Sequence, residues 1–255
     1  MRKKRSPMLP RADLPEELIA AGLSREEWDT LQDGSPNFAS AFRRMAAVPI
    51  ERGALDPKTR ALIGIAVNAS TTHLFEPALR QHCHAAFEAG ATREEIVETL
   101  ELACALGIHT ALVGMPILKE ELALQGEHTD ASVLDERQLK IKQDFQKGRQ
   151  SWTSLLDDFL LLDPEWLSAY VDYSTVPWKR GAIEPRIKEL IYIAIDAQTS
   201  HLYAPGTRFH IRNALAQGAT GDQILEVLEL VSLIGIHTMV VALPILADEL
   251  RHAVE

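Results

Sequence analysis

Cysteine, positive charge and strand-like alternation are all scarce in this sequence, and each shortage narrows its class. Only two cysteines, Cys83 and Cys104, occur in 255 residues. With no cysteine framework, and no apolar leader behind the basic run, a reducing compartment is expected and the location reads as cytoplasmic. Lysine and arginine number 26 against 36 acids, a net charge of −10. That deficit speaks against an extended nucleic-acid surface. The one basic run, Arg2, Lys3, Lys4 and Arg5, leads into Pro7 and Pro10 and reads as a solvated tail. No segment alternates with the period of a strand, and no Asn-Gly hairpin signal occurs, so the fold class is all-α. Two apolar runs, Leu102 to Leu118 and Leu230 to Ala247, come close to membrane length. Each contains a glycine, a histidine and a proline, is followed by acids, and lacks positive flanks. They read as core helices buried on nearly all sides, with no membrane partner, and hint at self-association.

What the sequence does have is a duplication. Shifting it by 128 residues aligns it with itself without a gap, and roughly 31 of the 67 positions from 56 to 122 are identical. Asp56-Pro57 falls on Glu184-Pro185, His73-Leu74 on His201-Leu202, and Arg80-x-His82 on Arg208-x-His210. Gly107-Ile108-His109-Thr110 falls on Gly235-Ile236-His237-Thr238. The repeats span 35–122 and 163–250. Residues 1–34 form a lead-in and 123–162 a helical linker.

The punctuation is helical. Asp56-Pro57 predicts an N-cap with proline behind it. Thr92-x-x-Glu95, Thr220-x-x-Gln223 and Ser24-x-x-Glu27 have the form of capping boxes. Gly90 and Gly218 stand where a helix would end in a left-handed residue. Gly107 and Gly235 are expected to break or bend their helices.

Three histidines recur in both copies: His73/His201, His82/His210 and His109/His237. Arg80/Arg208, Glu98/Glu226 and Glu101/Glu229 recur with them, whereas His84, His128 and His252 have no twin. His73 is placed at the end of one helix and His82 early in the next, so the two imidazoles are expected to approach each other. His109 sits in an apolar run, where desolvation lowers a histidine pKa and leaves a neutral ring able to act as a base. Packing is the other reading: core histidines satisfied by carbonyls or by Glu98 or Glu101. Arg80 and Arg208 lie two residues from His82 and His210 and thus off their helix face. They reach the same cavity only if it wraps the helix, or they serve a neighbouring subunit. A metal site is a further alternative, but no close histidine pair repeats in both copies. The reading adopted has no metal and no cofactor. Neither cysteine is repeated, and Cys104 reads as a small buried apolar residue.

The stretch Arg80-x-His82-x-x-x-Ala86-x-x-x-Gly90-Ala91-Thr92-x-x-Glu95-Ile96 and its twin from Arg208 to Ile224 resemble the carboxymuconolactone decarboxylase family. The resemblance covers both repeats. It implies an all-helical ring of six units, hence a homotrimer with pseudo-sixfold symmetry for a fused chain, and a pocket beside His82 and His210. One branch of the family decarboxylates a lactone in aromatic catabolism. A second, alkylhydroperoxidase-D-like branch uses a CxxCxxxH motif, whose cysteines would fall here on Phe75 and Ala78, or on Tyr203 and Gly206. Neither copy can form that disulfide, so thiol peroxidase chemistry has the least support. The expected function is decarboxylation or isomerisation of a small anionic lactone or carboxylic acid. His82, His210, His73 and His201 would be catalytic, with Arg80, Arg208, His109 and His237 on the substrate. The alternative from another class is a non-catalytic oligomeric binding or scaffold protein.

Overall fold

A computed structural model describes residues 14–127, 134–149 and 152–254, and every regular element among them is helical. The lead-in gives α1 (Glu16–Ala20) and α2 (Arg25–Gly34). The first repeat gives α3 (Pro36–Arg52), α4 (Pro57–Ala69), α5 (Glu76–Glu88), α6 (Arg93–Cys104) and α7 (Ile108–Leu124). The linker contributes α8 (Glu136–Arg149) and α9 (Asp157–Leu162). In the second repeat the first helix is split at Thr175 into α10 (Pro164–Ser174) and α11 (Val176–Arg180). Then follow α12 (Pro185–Ala197), α13 (Ala204–Ala216), α14 (Gly221–Ser232) and α15 (His237–Val254).

The caps form where the sequence places them. The Asp56 carboxylate accepts from the Thr59 N–H, and all three capping boxes are present. Glu184 makes no such side-chain cap. Gly90 and Gly218 adopt positive φ past their helix ends. Gly107 and Gly235 lie in short 3₁₀ turns that join α6 to α7 and α14 to α15. In each such turn the winding tightens and the helical path continues.

The two repeats interdigitate around α4 and α12, which pack on each other at the centre of one core. Both helices are buried along most of their length: Leu62, Ile63, Ile65 and Ala66 in one, Leu190 to Ile195 in the other. Burying each such side chain contributes about 1.5–3 kcal/mol. A smaller cluster joins Ile108 of α7 to Ile141, Phe145, Phe159, Leu160 and Leu167 of the linker and α10.

Carboxylates tie the repeats together. Glu226 on α14 accepts from the Ala54 and Leu55 N–H groups and from Arg60. Its twin Glu98 on α6 accepts from the Ala182 and Ile183 N–H groups and pairs with Lys188 at 2.7 Å. Arg52 with Glu229 and Arg180 with Glu101 repeat the pattern nearer the surface. Glu98 and Glu101 are therefore interface residues between repeats and not partners of the shared histidines.

Burial departs from expectation in two places. Cys104 is exposed, and Cys83 half-buried. The long apolar runs are buried only at their beginnings: Leu102, Leu106 and Ile108 are inside, but Val113, Ile117 and Leu118 of α7 are exposed. Val241, Ile245, Leu246 and Leu250 of α15 are exposed in the same way. Residues 93–124 and 221–253 are each long and apolar enough to cross a membrane by length and composition.

Candidate active site

The connection after α4 ends folds back on the helix it leaves. His73 and Leu74 donate to the Ser70 carbonyl, and Phe75 donates to that of Asn68. Leu74 takes a left-handed φ of 44°, and its twin Leu202 one of 53°. A branched side chain there is strained, and it persists because the surrounding hydrogen bonds fix the turn. In the second copy His201 and Leu202 donate to Gln198, and Tyr203 donates to the Asp196 carbonyl. The turn thus projects His73 and Phe75 from one repeat, and His201 and Tyr203 from the other.

Those imidazoles meet across the repeats. His73 does not approach His82, because α4 stops at Ala69 and the turn carries His73 toward α15. Instead His73 Nε2 lies 3.1 Å from His237 Nδ1, and His109 Nδ1 lies 2.6 Å from His201 Nε2. Phe75 stacks on His237, and Tyr203 stacks on His109, with ring centres 4.2 and 4.0 Å apart. Burial lowers the pKa of all four histidines, with His109 brought down to about 3 and His237 to about 4. They are neutral at pH 7.

The two clusters differ in what surrounds them. His237 Nε2–H donates to the Ala21 carbonyl at 3.2 Å, so its Nδ1 is left to accept from His73. That pair is satisfied and apolar in setting. His109 Nε2 instead faces the Asp196 carboxylate at 3.7 Å. Asp196 is 1% exposed, and among the described residues neither of its oxygens has a hydrogen-bond partner. Burial, aided by the Glu189 charge, raises its pKa to about 8. In the first copy Asn68 stands at this position.

His82 and His210 diverge likewise. His210 Nδ1 lies 2.6 Å from Glu189 Oε2, with both side chains buried. The N–H therefore points at the carboxylate, and Nε2 keeps its lone pair. Nε2 sits 4.0 Å from Asp196. Tyr192 stacks on the ring at 4.5 Å. Burial is the largest influence on His210 and lowers its pKa, with Glu189 opposing. In the first copy Ala61 replaces Glu189 and Gly64 replaces Tyr192. A Cβ on Gly64 would overlap the His82 ring, so that glycine makes room for the imidazole.

Two adjoining cavities of about 50 and 40 Å³ flank His210. Both are lined by Ile108, His109, Arg149 and Tyr170; the second also reaches Asp196 and Tyr192. Arg149 is buried, with its Nη1 3.4 Å from the Tyr192 hydroxyl and its guanidinium 4.6 Å over the Trp178 ring. Its Nε has no hydrogen-bond partner among the described residues. His82 borders a cavity of about 20 Å³ on the core side and a wider one of about 360 Å³ that it shares with Arg60 and Glu16.

His210, His109 and His201 are therefore brought together with Asp196, while His73 and His237 form the satisfied twin. Arg80 and Arg208 are not brought in. Both are exposed; Arg80 pairs with Glu76 on its own helix, and Arg208 lines an open groove with Ile211 and Arg212. His84 and His252 are exposed, and His128 lies outside the described residues.

Sequence reasoning missed Glu189, Tyr192, Asp196 and Arg149. It weighed what the two copies share, and these residues belong to one copy alone. A signal existed: Lys188, Glu189 and Asp196 are charges among the apolar residues of a core helix, and a buried charge needs a purpose. Arg149 lies in the linker and carried no such mark.

Comparison with known proteins agrees with this architecture. The carboxymuconolactone decarboxylase family profile matches residues 36–120 and again 164–248. The chain belongs to the carboxymuconolactone decarboxylase family. A crystal structure from Burkholderia xenovorans LB400, provisionally described as a gamma-carboxymuconolactone decarboxylase subunit, matches with a TM-score of 0.90 at 43% identity. The match covers 97% of this chain and 100% of that one. Among curated proteins no match is found. Within the carboxymuconolactone decarboxylase family the thiol branch would need cysteines at Phe75 and Ala78, or at Tyr203 and Gly206. Here Phe75 and Tyr203 are the rings stacked on His237 and His109, and both cysteines of the chain are free thiols.

Proposed function

We propose that this chain is a decarboxylase-like or isomerase-like enzyme for a small anionic lactone or carboxylic acid, with its working site in the second repeat. The observation that carries the proposal is the buried His210–Glu189 pair beside a cavity into which Arg149 turns. A neutral imidazole held in one tautomer by a carboxylate is oriented to take a proton through its free nitrogen. Arg149 supplies the anchor: a guanidinium with an unused N–H, lying against Trp178 and Tyr192, suits a planar carboxylate. As CO2 leaves, or as a double bond moves, the electron pair is taken into the unsaturated ring or acid. In an isomerisation His210 Nε2 takes the proton from one carbon and, as the imidazolium, returns it to another; in a decarboxylation a solvent proton first taken up at Nε2 replaces CO2 on carbon. The small cavities favour a compact substrate.

Family membership supports a homotrimer, in which the exposed faces of α7 and α15 would be covered. It also supports the reading of the chain as a cytoplasmic member of aromatic catabolism.

The test is CO2 release from carboxymuconolactone, with proton exchange in D2O for a panel of small unsaturated lactones and carboxylates. Turnover is expected for the unaltered protein. His210→Gln should lower it by about 10²–10⁴-fold, the usual contribution of a positioned acid–base group. His82→Gln should cost less than about tenfold, since it lacks the Glu189 partner. Full turnover in His210→Gln, or none by the unaltered protein on any member of the panel, would overturn the proposal.

A further inference from the structure

We propose that His109, His201 and Asp196 form a binding site for one divalent first-row transition-metal ion, built from both repeats and absent from their pseudo-symmetric twins. One ligand atom from each of the three lies within 4.8 Å of the others. Ligands held 2.0–2.2 Å from a common tetrahedral ion stand about 3.3 Å apart. His109 faces His201 through Nδ1 at 2.6 Å and Asp196 through Nε2 at 3.7 Å, so an ion would take one of these two nitrogens together with the other two ligands.

A second observation points to a cation and not merely to a packed cluster. Asp196 is 1% exposed, and both its oxygens are without a hydrogen-bond partner among the described residues. Buried polar groups are almost always satisfied, and a buried carboxylate in this state is costly. Gly206 keeps the approach open, because a Cβ there would overlap the Asp196 carboxylate. A divalent ion would satisfy both the carboxylate and the neutral imidazoles, which are the form that binds metal.

The twin cluster serves as an internal control. There Asn68 replaces Asp196, its amide donates to the Gly64 carbonyl, and His237 Nε2 is taken up by the Ala21 carbonyl. Among the described residues no acid stands in the place of Asp196 there, although Asn68 Oδ1 is likewise without a hydrogen-bond partner. His201 is only half-buried, so the second cluster has an entry path and a side for water or a ligand to complete the coordination. Two imidazoles and one carboxylate suit zinc, iron(II), cobalt or manganese over calcium or magnesium.

The site adjoins the proposed proton transfer at His210, whose Nε2 lies 4.0 Å from Asp196, but its test reads metal, not turnover. The full chain is stripped with a chelator and titrated with Co²⁺, followed by visible absorption, and with Zn²⁺ by calorimetry. One equivalent per chain is expected, with ligand-field bands for Co²⁺. Asp196→Asn and His201→Gln should each weaken uptake more than about 100-fold, since loss of even an outer partner costs about 10–100-fold. His73→Gln should leave uptake unchanged. His201 is near the surface, so His201→Gln reports on binding even if Asp196→Asn disturbs folding. Failure to bind either ion below millimolar concentration would overturn the site. So would binding that survives both Asp196→Asn and His201→Gln, or that disappears in His73→Gln.

Discussion

Between pH 4 and 8 the Asp196 carboxyl is ionised in the unfolded chain and protonated in the folded one. Burial and the Glu189 charge raise its pKa from 3.8 to about 8. A raised folded pKa means the stability it contributes is complete below about pH 4 and is lost as pH rises toward 8. His109 works the other way: its pKa falls from 6.5 to about 3, so its contribution is present above pH 6.5 and lost as pH falls. The two effects overlap, and only the difference between unaltered protein and variant isolates Asp196. In chelator-treated protein, Asp196→Asn should remove a pH-dependent loss of about 3–5 kcal/mol between pH 4 and 8. Urea unfolding at several pH values measures it, and identical pH slopes in the two proteins would show that Asp196 ionises normally. This residue was invisible to a reading that compared the repeats for identity. Asn68 and Asp196 differ by one atom type: the Asn68 amide N–H donates to the Gly64 carbonyl, whereas neither Asp196 oxygen has a partner among the described residues.

Elements were legible where local chemistry fixes them. Capping boxes, the Asp56-Pro57 start and the glycines past α5 and α13 depend on neighbours three or four residues away, so the sequence shows them directly. Contacts between repeats depend on how two helices cross, which has no periodic signature. His73 was thus expected beside His82 and is found beside His237. The same holds for Glu98, which reaches from α6 to the N–H groups of Ala182 and Ile183 and to Lys188, itself 1% exposed. Glu98→Gln keeps the shape and removes the charge, leaving the ammonium with the Pro177 carbonyl. Breaking one side of a buried pair costs about 3–5 kcal/mol, whereas removing both charges costs less. Urea unfolding should therefore find Glu98→Gln strongly destabilised, and Glu98→Gln with Lys188→Met closer to the unaltered protein. If the double variant is as unstable as the sum of the two single ones, the pair is not coupled.

At the scale of the whole molecule the long apolar runs change meaning. Their first residues complete the core, but α7 and α15 then carry Val113, Ile117, Leu118, Val241, Ile245, Leu246 and Leu250 outward. Contiguous exposed apolar faces mark a surface for another chain, a ligand or a membrane, and the proposed trimer would cover these with another chain. The two faces come from different repeats and are not identical, so a contact between α7 of one chain and α15 of the next is heterologous. Such contacts either close into a ring or propagate, and a ring of three chains holds six repeats. The proposed trimer should have a mass near 85 kDa by light scattering, three times the 28.3 kDa of one chain. Ile117→Glu together with Ile245→Glu places an unpaired charge in each face, and desolvating a charge there opposes association. The variant is expected at the single-chain mass with its helical circular dichroism retained. A double variant that keeps the mass of the unaltered protein would place the contact elsewhere. An unaltered protein already at 28.3 kDa would leave these faces without a second chain. The apolar surface would then need another cover, and the length of residues 93–124 and 221–253 would make a lipid surface the next one to test, by vesicle co-sedimentation.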